Sequence, residues 1–430
     1  MYKGNEWIMR RLLLWCMIFL LLNPANLSVQ AREERSGEMV RQKYLSVLHK
    51  NILTVYGGEP SAAAPYAAGS LSQEAAEAAL EEVNFIRYLA GLSPLEIDPA
   101  LQSLAQHGAV LMAAGGELSH SPEKPSDMEE AFYEQGAQAA ASSNLIMLNW
   151  FEEGILSEAV REFVRDDGEG NRYVLGHRRW LLYPGMKYTG FGLAQDADGR
   201  SYAAMYVMDE SNEEADYDMI AWPSAGAFPA EYMDAETPWS VSFNPEKYDL
   251  STSALKIVMT EQKTGAQFVF DIMEETASDP AQYFVLGGGR FGDGPAYIFR
   301  PDLSEYDELM YGYTQNQVWT VEIDGLFLAD GTLAEKMEYT VEMISLTPIE
   351  PAAVEISVRE VSLKVGESMT LSAQVIPDWA DDLSIIWKSS DESIVFVDEN
   401  GLLTAKQTGK CSVTAESVNG RYDEIEVTVE

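Results

Sequence analysis

The sequence predicts a multidomain protein in which a mixed α/β portion is followed by two all-β sandwich modules. Its length of 430 residues exceeds what one ordinary hydrophobic core holds, so more than one domain is expected. From Gln73 apolar residues recur every three to four positions, which is typical of amphipathic helices. From residue 237 they fall into short alternating runs separated by turn residues, which is typical of strands.

Composition narrows the class of protein. Hydrophobic residues make up 46% of the chain and charged residues 23%, as in globular proteins. The 69 acidic and 29 basic residues give a formal net charge of −40, which argues against nucleic acid as a partner because phosphates require a basic surface. The same charge argues against adhesion to anionic lipid by charge alone. The excess acid predicts a solvated surface that suits divalent cations or basic partners.

Residues 1–31 have the pattern of a secretory signal peptide. Arg10 and Arg11 end a basic segment, and the apolar run over residues 12–22 is too short to span a bilayer comfortably. Small residues allow cleavage after Ala31. The alternative is that the run stays in place as an uncleaved N-terminal anchor.

Removal of that peptide takes away Cys16 and leaves Cys411 as the one remaining cysteine, so no intramolecular disulfide could form. Stability outside the cell would then depend on the size of the core. The sequence ends on a strand-like segment without a hydrophobic sorting tail. We therefore expect a secreted protein without a transmembrane anchor, either released or loosely associated with the cell wall.

Changes in composition along the chain suggest where domains begin and end. A glycine-, alanine- and proline-rich stretch over residues 57–70 predicts a linker, and β-like runs replace helices after an acidic loop. The predicted organisation is a signal peptide (1–31), a charged leader with its linker (32–72), an α/β domain (73–210), a proline-rich connector (211–236), a β-sandwich module (237–349) and a second β module (352–430).

Two helices open the predicted α/β domain. The first begins near Gln73 and is expected to end at Gly91. The second is predicted to start with Asp98 as N-cap and Pro99 in the first turn, and to run to the glycine pair at Gly115.

Two further stretches complete the predicted α/β domain. Residues 129–167 are predicted to be mostly helical, with the small-residue segment GAQAAASSN between two amphipathic parts. Residues 188–207 predict a β-hairpin around the turn Asp196-Ala197-Asp198-Gly199. We favour a plain turn over a calcium loop there, because the later acidic ligands of an EF-hand are missing.

Two motifs carry a resemblance to a known family. Residues 83–121 contain N-x-x-R-x-x-x-G-L-x-P-L, then an A-Q-containing helix and an S-H-S loop. Residues 176–194, GHRRWLLYPGMKYTGFGLA, join a histidine turn to an apolar run and a G-x-G strand whose glycines allow close backbone approach. In this order and spacing the motifs resemble the CAP superfamily (cysteine-rich secretory, antigen five and pathogenesis-related proteins, also called SCP-like). The resemblance implies an α-β-α sandwich.

The C-terminal half predicts two β modules. The runs within 237–349 indicate a β-sandwich of immunoglobulin-like type. Residues 352–430 contain a V-G-E-S-x-T-L strand, Trp387 in the context S-I-I-W-K-S-S-D, an Asn400-Gly401 hairpin and a G-K-C-S-V-T-A strand. These features resemble the bacterial immunoglobulin-like domain of group two. Cys411 sits at a strand position where a small residue packs, so we expect a buried, unreactive thiol.

The CAP resemblance also implies a cleft lined by two histidines and two acidic residues. His120 matches the first histidine and His177 the second, and such a pair can hold a divalent cation such as zinc through neutral imidazole nitrogens. The first acid of the family precedes an asparagine. Here Ser143 precedes Asn144, so a serine replaces that carboxylate.

The second acid of the family lies on the helix before the second histidine. Asp166 is the best match, with Asp167 and Glu162 as rivals because the spacing is ambiguous. Loss of one carboxylate leaves at most three protein ligands and no assured general base, so no catalytic residue is assigned. Arg178 could contact an anionic ligand in the cleft together with Arg179, although we favour pairing of both with Asp166 and Asp167.

The alternative is that both histidines have a purely structural role. His120 could order its loop through Ser119 and Ser121, while His177 hydrogen-bonds a neighbouring helix. His107, beside Gln106 on a helix, is expected to be solvated.

Three classes of function remain open. The preferred one is a secreted, non-enzymatic binding protein whose CAP cleft takes a small hydrophobic, lipid-like or cell-envelope ligand and which is displayed on immunoglobulin-like modules. The second is a metal-dependent hydrolase that uses His120 and His177. The third is an adhesion or scaffold protein whose immunoglobulin-like modules contact a surface carbohydrate or protein.

Overall fold

The computed structural model describes residues 35–48, 52, 54–152, 154–166, 168–213, 215–251, 254–272, 281–288, 291–292, 294–378 and 380–430. The predicted signal peptide, Cys16 and Asp167 lie outside these ranges.

Helices and short strands alternate up to residue 206. In chain order they are α1 (Gly37–Leu48), β1 (Tyr56–Gly58), β2 (Ser70–Leu71), α2 (Gln73–Leu89), β3 (Glu96–Ile97), α3 (Pro99–Gly115), α4 (Glu130–Ala141), β4 (Ser143–Leu148), α5 (Ile155–Arg165), α6 (Gly176–Leu181), β5 (Tyr188–Thr189), β6 (Phe191–Gln195) and β7 (Ser201–Tyr206).

The ends of the first two long helices follow local sequence signals. Ser72 caps α2 by accepting a hydrogen bond from the amide of Ala75. Asp98 caps α3, and the helix ends at Gly116, whose φ of 68° is easily adopted by glycine. The predicted start and end of α3 are therefore confirmed.

A three-stranded antiparallel sheet in the order β4–β7–β6 lies between helices. Strands β6 and β7 form the hairpin predicted over residues 188–207. Alternate residues face opposite sides: Ala194 and Tyr202 pack with residues of α3 and α4. Leu193 and Ala203 instead join a core that includes residues of α2 and α5. This period-two alternation gives both faces of the sheet apolar cover.

Residues 129–167 differ from the mostly helical prediction. Strand β4 separates α4 from α5 and pairs with β7 along its whole length, from Ser143 opposite Tyr206 to Leu148 opposite Ser201. The open edge of the hairpin, on β7, pairs with this segment, and the hydrogen bonds gained outweigh the helical tendency of the flanking segments.

Strands dominate residues 219–344. In chain order they are β8 (Met219–Trp222), β9 (Gly226–Pro229), β10 (Trp239–Phe243), β11 (Tyr248–Asp249), β12 (Lys256–Glu261), β13 (Gln267–Asp271), β14 (Tyr283–Gly287), β15 (Ala296–Arg300), β16 (Val318–Asp324), β17 (Phe327–Leu328) and β18 (Met337–Ile344). The two main sheets have the orders β14–β15–β10–β8 and β13–β12–β16–β18–β9. We call residues 211–349 the middle module.

The segment predicted as a proline-rich connector, residues 211–236, is part of the middle module. Strand β8 pairs antiparallel with β10, and β9 pairs parallel with β18, so this segment supplies one edge strand to each sheet. Pro223 follows β8 and Pro229 is the last residue of β9, which suits edge positions.

One hydrophobic core joins the α/β domain to the middle module. The Phe85 ring of α2 lies 5.7 Å from the Tyr232 ring, which lies 6.3 Å from the ring of Trp222 in β8. The ring of Tyr44 in α1 also lies 5.1 Å from the Phe85 ring. The leader helix, the α/β domain and the middle module therefore share a continuous interior.

The C-terminal module has its own core. Its strands are β19 (Ala353–Ile356), β20 (Glu360–Leu363), β21 (Ser368–Thr370), β22 (Ala373–Ile376), β23 (Ile385–Ser389), β24 (Val395–Val397), β25 (Leu402–Ala405), β26 (Gly409–Ser417) and β27 (Tyr422–Val429). They form sheets in the orders β19–β22, β20–β27–β26–β23 and β21–β25–β24. Cys411 is buried and its thiol is free, and burial raises its pKa.

Asp381 of the C-terminal module lies at the junction with the rest of the chain. Its carboxylate pairs with the guanidinium of Arg41 in α1, and its Oδ2 accepts a hydrogen bond of 2.6 Å from the amide of Ile349. The Arg41 Nε also donates to the carbonyl of Ser345, at 2.9 Å. The leader helix thus contacts both sides of the junction.

Candidate functional site

Asp166 and His177 form the centre of the candidate site. Helix α5 ends at Arg165 and is capped by Asp166, whose φ of 51° turns the chain back, a conformation that Asp tolerates better than most residues. Its carboxylate is fully buried, and Oδ1 lies 2.9 Å from Nδ1 of His177. Oδ2 accepts from the backbone amides of His177, at 2.9 Å, and Arg178, at 3.3 Å. One carboxylate therefore holds both the imidazole and the first turn of α6.

This contact defines the tautomer of neutral His177. An ionised carboxylate has no proton to give, so the proton of the bond lies on Nδ1 and Nε2 keeps its lone pair. The side-chain amide nitrogen of Asn171 lies 3.3 Å from the same Nδ1, but because it is a donor itself it cannot accept the Nδ1 proton, which leaves the carboxylate as the acceptor. The side chain of His177 is 23% exposed, and the Phe163 ring lies 5.4 Å from the imidazole. Nε2 is thus the ring atom left for a ligand.

His120 is oriented in the same way from another part of the domain. Its Nδ1 lies 2.8 Å from the carbonyl oxygen of Ala140, in the last turn of α4. A carbonyl can only accept, so this Nδ1 also carries the proton and Nε2 is again an acceptor. Both histidines therefore have Nδ1 hydrogen-bonded to an oxygen acceptor.

The first two residues of β4 lie on opposite sides of the sheet. Leu145 packs with residues of α3 and α4, so by alternation Ser143 faces the side of α4, whose last turn holds His120. The amide of Asn144 faces the other side and donates to the backbone carbonyl of His177, at 2.9 Å. The start of β4 therefore connects the surroundings of the two histidines.

The hydroxyl of Ser143 is buried, and it has no hydrogen-bond partner among the residues that the structure describes. A buried hydroxyl without a partner is costly, and such groups often mark a place for water or a ligand. Ser143 is the position at which the family resemblance expects a carboxylate.

The acidic rivals of Asp166 lie elsewhere or outside the described ranges. Glu162 pairs with Arg165 on the surface of α5, with 2.9 Å between Oε1 and Nη1. Asp167 is not among the described residues. Of the two candidates that the structure describes, Asp166 is the one that contacts His177.

The side chains of Arg178 and Arg179 point into the protein. The Arg178 guanidinium donates to the carbonyls of Val164, Arg165 and Pro238. The Arg179 guanidinium donates to the carbonyls of Val174, Gly288 and Gly294. In the described contacts these guanidinium groups donate to backbone carbonyls and the amide of Arg178 contacts Asp166, whereas the expected pairing with Asp167 lies outside the described residues.

His107 also has Nδ1 against a carbonyl oxygen, but it lies on α3 away from the candidate site. Its Nδ1 contacts the carbonyl of Ser103 one turn earlier on α3, at 2.8 Å, and its ring packs 4.7 Å from that of Phe132. It contributes to the contact between α3 and α4 and gives a natural control for the site histidines.

The donor set limits what the site can hold. Over the described parts of the chain, no group of three or more His, Cys, Asp or Glu side chains is arranged to bind a metal ion. Asp166 already contacts His177 and two amides, so the available protein ligands are two imidazole nitrogens. An imidazole nitrogen with a lone pair is the kind of donor that a cation or the polar end of a ligand uses, and each of the two histidines presents one.

Sequence reasoning missed Asn171 and the carbonyl of Ala140. Asn171 lies six residues before His177, and it also caps the turn that leads into α6 through its carbonyl, which accepts from the amide of Leu175 at 2.7 Å. An asparagine in the glycine-rich stretch GEGN was the available signal. The Ala140 carbonyl has no sequence signal, because any residue supplies one.

Family models identify two domains in the chain. Residues 80–209 match the Cysteine-rich secretory protein family (CAP), and residues 352–427 match the Bacterial Ig-like domain (group 2). The chain therefore contains a CAP domain followed by a group-2 bacterial Ig-like domain, and the resemblance drawn from the motifs is confirmed. Both domains are typical of extracellular bacterial proteins.

Curated relatives match short segments. A 3-O-alpha-D-galactosyl-alpha-L-arabinofuranosidase of Bifidobacterium longum is 44% identical over 70 residues, which is 16% of this chain and 6% of that protein. A lacto-N-biosidase of Bifidobacterium bifidum is 44% identical over 68 residues, with the same shares. An uncharacterized protein of Clostridium acetobutylicum is 45% identical over 58 residues, 14% of this chain and 15% of that protein. The similarity thus spans a small part of each relative.

Solved structures give low overall similarity. An intimin mutant of EHEC O157:H7 has a TM-score of 0.15 and 16% identity, over 17% of this chain and 45% of that chain. Domains 4 and 5 of the S-layer protein SbsC have a TM-score of 0.19 and 12% identity, over 40% of this chain and 98% of that chain. No conclusion about fold or partner rests on scores this low.

Among the helices that the structure describes, none combines the length and apolar composition needed to cross a bilayer.

Proposed function

We propose that this chain is a secreted bacterial binding protein whose CAP domain, an α-β-α sandwich, takes a small hydrophobic or cell-envelope ligand. The polar end of the ligand would lie between His120, Ser143 and His177. The middle module and the Ig-like domain would display this cleft away from the cell surface or the wall.

One observation carries the proposal. The carboxylate of Asp166 is buried and committed to His177 and the start of α6, while Ser143 occupies the position of the family's other carboxylate. Of the candidate acids that the structure describes, Asp166 is engaged with His177 and Glu162 pairs with Arg165, so neither is placed to accept a proton from a bound water. The remaining groups are two oriented imidazoles and a buried hydroxyl, which can fix the orientation of a ligand by hydrogen bonds.

An exposed apolar side chain near the site supports a ligand with a hydrophobic part. Leu118, two residues before His120, is 45% exposed although it is large and apolar. Single exposed leucines are common, so this feature supports the ligand class without defining it.

The proposal can be tested with two probes, a dansyl-labelled fatty acid and purified soluble cell-wall glycan fragments. We expect saturable binding of at least one probe by the full chain and by His107→Ala. The double variant His120→Ala/His177→Ala should bind at least about 10-fold more weakly, since about 1.4 kcal/mol of lost contact corresponds to that factor. Equal binding by the double variant and the wild type would remove the cleft from the proposal.

A metal-dependent hydrolase is the second candidate, and a specific observation favours it. Metal-ligating histidines almost always donate their other ring N–H to a carboxylate or a carbonyl, as His177 does to Asp166 and His120 does to Ala140. These two residues would hold zinc, which supplies an activated water when bound.

Calorimetric titration of zinc into the chelator-treated protein tests the second candidate. One equivalent bound by the wild type and by His107→Ala, but not by the His120→Ala/His177→Ala variant, would justify a screen for hydrolase activity. Absence of binding to all three proteins would leave the first proposal alone.

A further inference from the structure

The two arginines after His177 connect the candidate site to the middle module. Arg178 is fully buried, and its Nη1 lies 2.7 Å from the carbonyl oxygen of Pro238 and 3.3 Å from Oγ of Ser240 in β10. Its Nε and Nη2 donate to the carbonyls of Val164 and Arg165, at 2.5 and 2.7 Å. One guanidinium therefore joins the last turn of α5 to the middle module.

Arg179 makes a second connection through the loop between β14 and β15. Its Nη1 lies 3.0 Å from the carbonyl of Gly288, and its Nη2 donates to the carbonyl of Gly294. The guanidinium carbon lies 4.8 Å from the centre of the Phe291 ring, a cation–π distance. A planar group with five donors suits several carbonyls at once, which a lysine could not satisfy in the same way.

The surfaces around these arginines fit closely. A Cβ added to Gly176, the residue before His177, would lie 2.9 Å from Cε1 of Phe291. A Cβ added to Gly292, whose φ is +29°, would lie 2.5 Å from the carbonyl oxygen of Arg179. The Tyr283 hydroxyl of β14 also donates to the carbonyl of Arg172, at 3.1 Å. The middle module thus touches the chain on both sides of His177.

We propose that Arg178 and Arg179 are positioning residues through which the middle module sets the orientation of His177. Arg178 fixes the carbonyls at the end of α5, where Asp166 follows, and its own amide lies 3.3 Å from Asp166 Oδ2. Asp166 in turn holds Nδ1 of His177. The CAP domain therefore needs the middle module to present Nε2 of His177 to the cleft.

This inference rests on the proposed function in one respect, that His177 faces the cleft. It adds that the binding unit is larger than residues 80–209, the part matched by the CAP family. Changes in the β14–β15 loop should alter the site although that loop contacts neither ring of the two cleft histidines in the described interactions.

The tautomer of His177 provides a direct test that needs no ligand. The chain has four histidines, so ¹⁵N-histidine spectra of the full chain can be assigned by replacing each histidine in turn. We expect wild-type His177 to carry its proton on Nδ1. Arg178→Gln and Phe291→Ala should both lower the Nδ1–H population of His177 and leave the signals of His107 unchanged.

Arg359→Gln is the matched control, because Arg359 is 74% exposed and pairs with Asp423 in the Ig-like domain. Its spectrum should equal that of the wild type. A folded Phe291→Ala variant with an unchanged His177 signal would overturn the proposal. That variant decides the matter alone if Arg178→Gln fails to fold, since Phe291 lies outside the CAP match.

The same spectra separate this inference from the proposed function. A changed His177 tautomer in a protein that binds neither the fatty-acid nor the glycan probe would support the positioning role while the binding proposal fails. Probe binding with an unchanged tautomer in the folded variants would give the opposite result.

Discussion

Gly192 in β6 packs directly against the carbonyl of Ala105 in α3, so closely that a Cβ at residue 192 would lie 2.1 Å from that oxygen. Two glutamines of α3 reinforce the contact. The Gln106 side chain donates to the carbonyl of Leu193, at 2.7 Å, and accepts from the amide of the same residue, at 3.0 Å. Gln102 does the same at Phe191. The edge of β6 is therefore paired by a helix, which prevents strand addition there.

Replacement of Gly192 by alanine should destabilise the protein strongly. The new methyl group meets backbone, which cannot move aside, so we expect a loss at or above the upper end of about 1–3 kcal/mol that overpacking costs. The free energy of unfolding from urea titrations checks this. Gly115→Ala is the matched control, because a Cβ there meets nothing within 4 Å and alanine favours the helix. Equal stability of both variants would contradict the prediction.

Replacement of Arg161 by alanine should destabilise the protein, because it removes the cation that pairs with a buried carboxylate. Glu82 of α2 is fully buried and forms two contacts with Arg161 of α5, of 3.0 and 3.1 Å. The Tyr232 hydroxyl, whose pKa burial raises far above its ordinary value, also donates to Glu82. Arg161→Ala leaves a buried charge without its partner, and we expect a loss of about 3 kcal/mol in unfolding free energy.

The control for that prediction is Lys336→Ala. Lys336 pairs with Glu322 on the surface of the middle module, where such pairs contribute at most about 1 kcal/mol. Comparable losses in the two variants would show that Glu82 tolerates an unpaired state.

Asp166→Asn should weaken zinc binding in the metal-dependent version of the site. The amide keeps the shape of the carboxylate but removes the charge that fixes Nδ1–H of His177, and loss of such partners costs about 10- to 100-fold in metal affinity. Calorimetry against Glu162→Gln, which alters the rival acid on the surface of α5, isolates the effect. Equal affinity of both variants would show that Asp166 does not orient the ligand.

Glu261 should make stability depend on pH in the acidic range. Burial alone would raise its pKa, but hydrogen bonds from the amide and hydroxyl of Thr264 outweigh burial and hold the pKa below its ordinary value. A lowered pKa in the folded state means that the ionised group stabilises the fold above about pH 4.5 and that this contribution is lost as the pH falls through the folded-state pKa.

The comparison of wild type with Glu261→Gln checks the direction of this pH dependence of stability. The difference in urea midpoint between the two proteins should be largest near pH 7 and shrink as the pH falls below about 4.5. A difference that grows on acidification would contradict the prediction.

Arg41→Ala should loosen the junction before the Ig-like domain. The substitution removes the ion pair with Asp381 and the bond to the Ser345 carbonyl. We expect faster proteolysis between residues 345 and 352 and a larger radius of gyration in X-ray scattering, with little change in the cores. Gln42→Ala, which affects an exposed contact with Glu38 on the same helix, should behave as wild type.

Local signals made some features predictable from the sequence. The cap at Asp98, the hairpin over residues 188–207 and the close approach at the glycines of GFG follow from residue types whose conformational preferences are strong. The CAP and Ig-like assignments rest on motifs of the same kind.

Features that depend on tertiary pairing could not be predicted from the sequence. Strand β4 forms because β7 needs a partner, and the strands at Met219–Trp222 and Gly226–Pro229 form because two sheets offer open edges. The orientations of the Arg178 and Arg179 side chains depend on backbone carbonyl groups about 60 and 110 residues away. Every residue has such a carbonyl group, so the sequence does not indicate which ones are used. Candidate site residues could be proposed, but not their partners.

The continuous interior from Tyr44 through Phe85 and Tyr232 to Trp222 has a consequence for how such proteins can be recombined. A cut near residue 210 would pass through this aromatic chain and leave large apolar faces on both fragments. We therefore expect a CAP segment moved by itself to aggregate, because the middle module would no longer cover its apolar face. We expect the stretch from the leader helix to the end of β18 to be exchanged as one unit, whereas the Ig-like domain has a separate core and would tolerate separation from it.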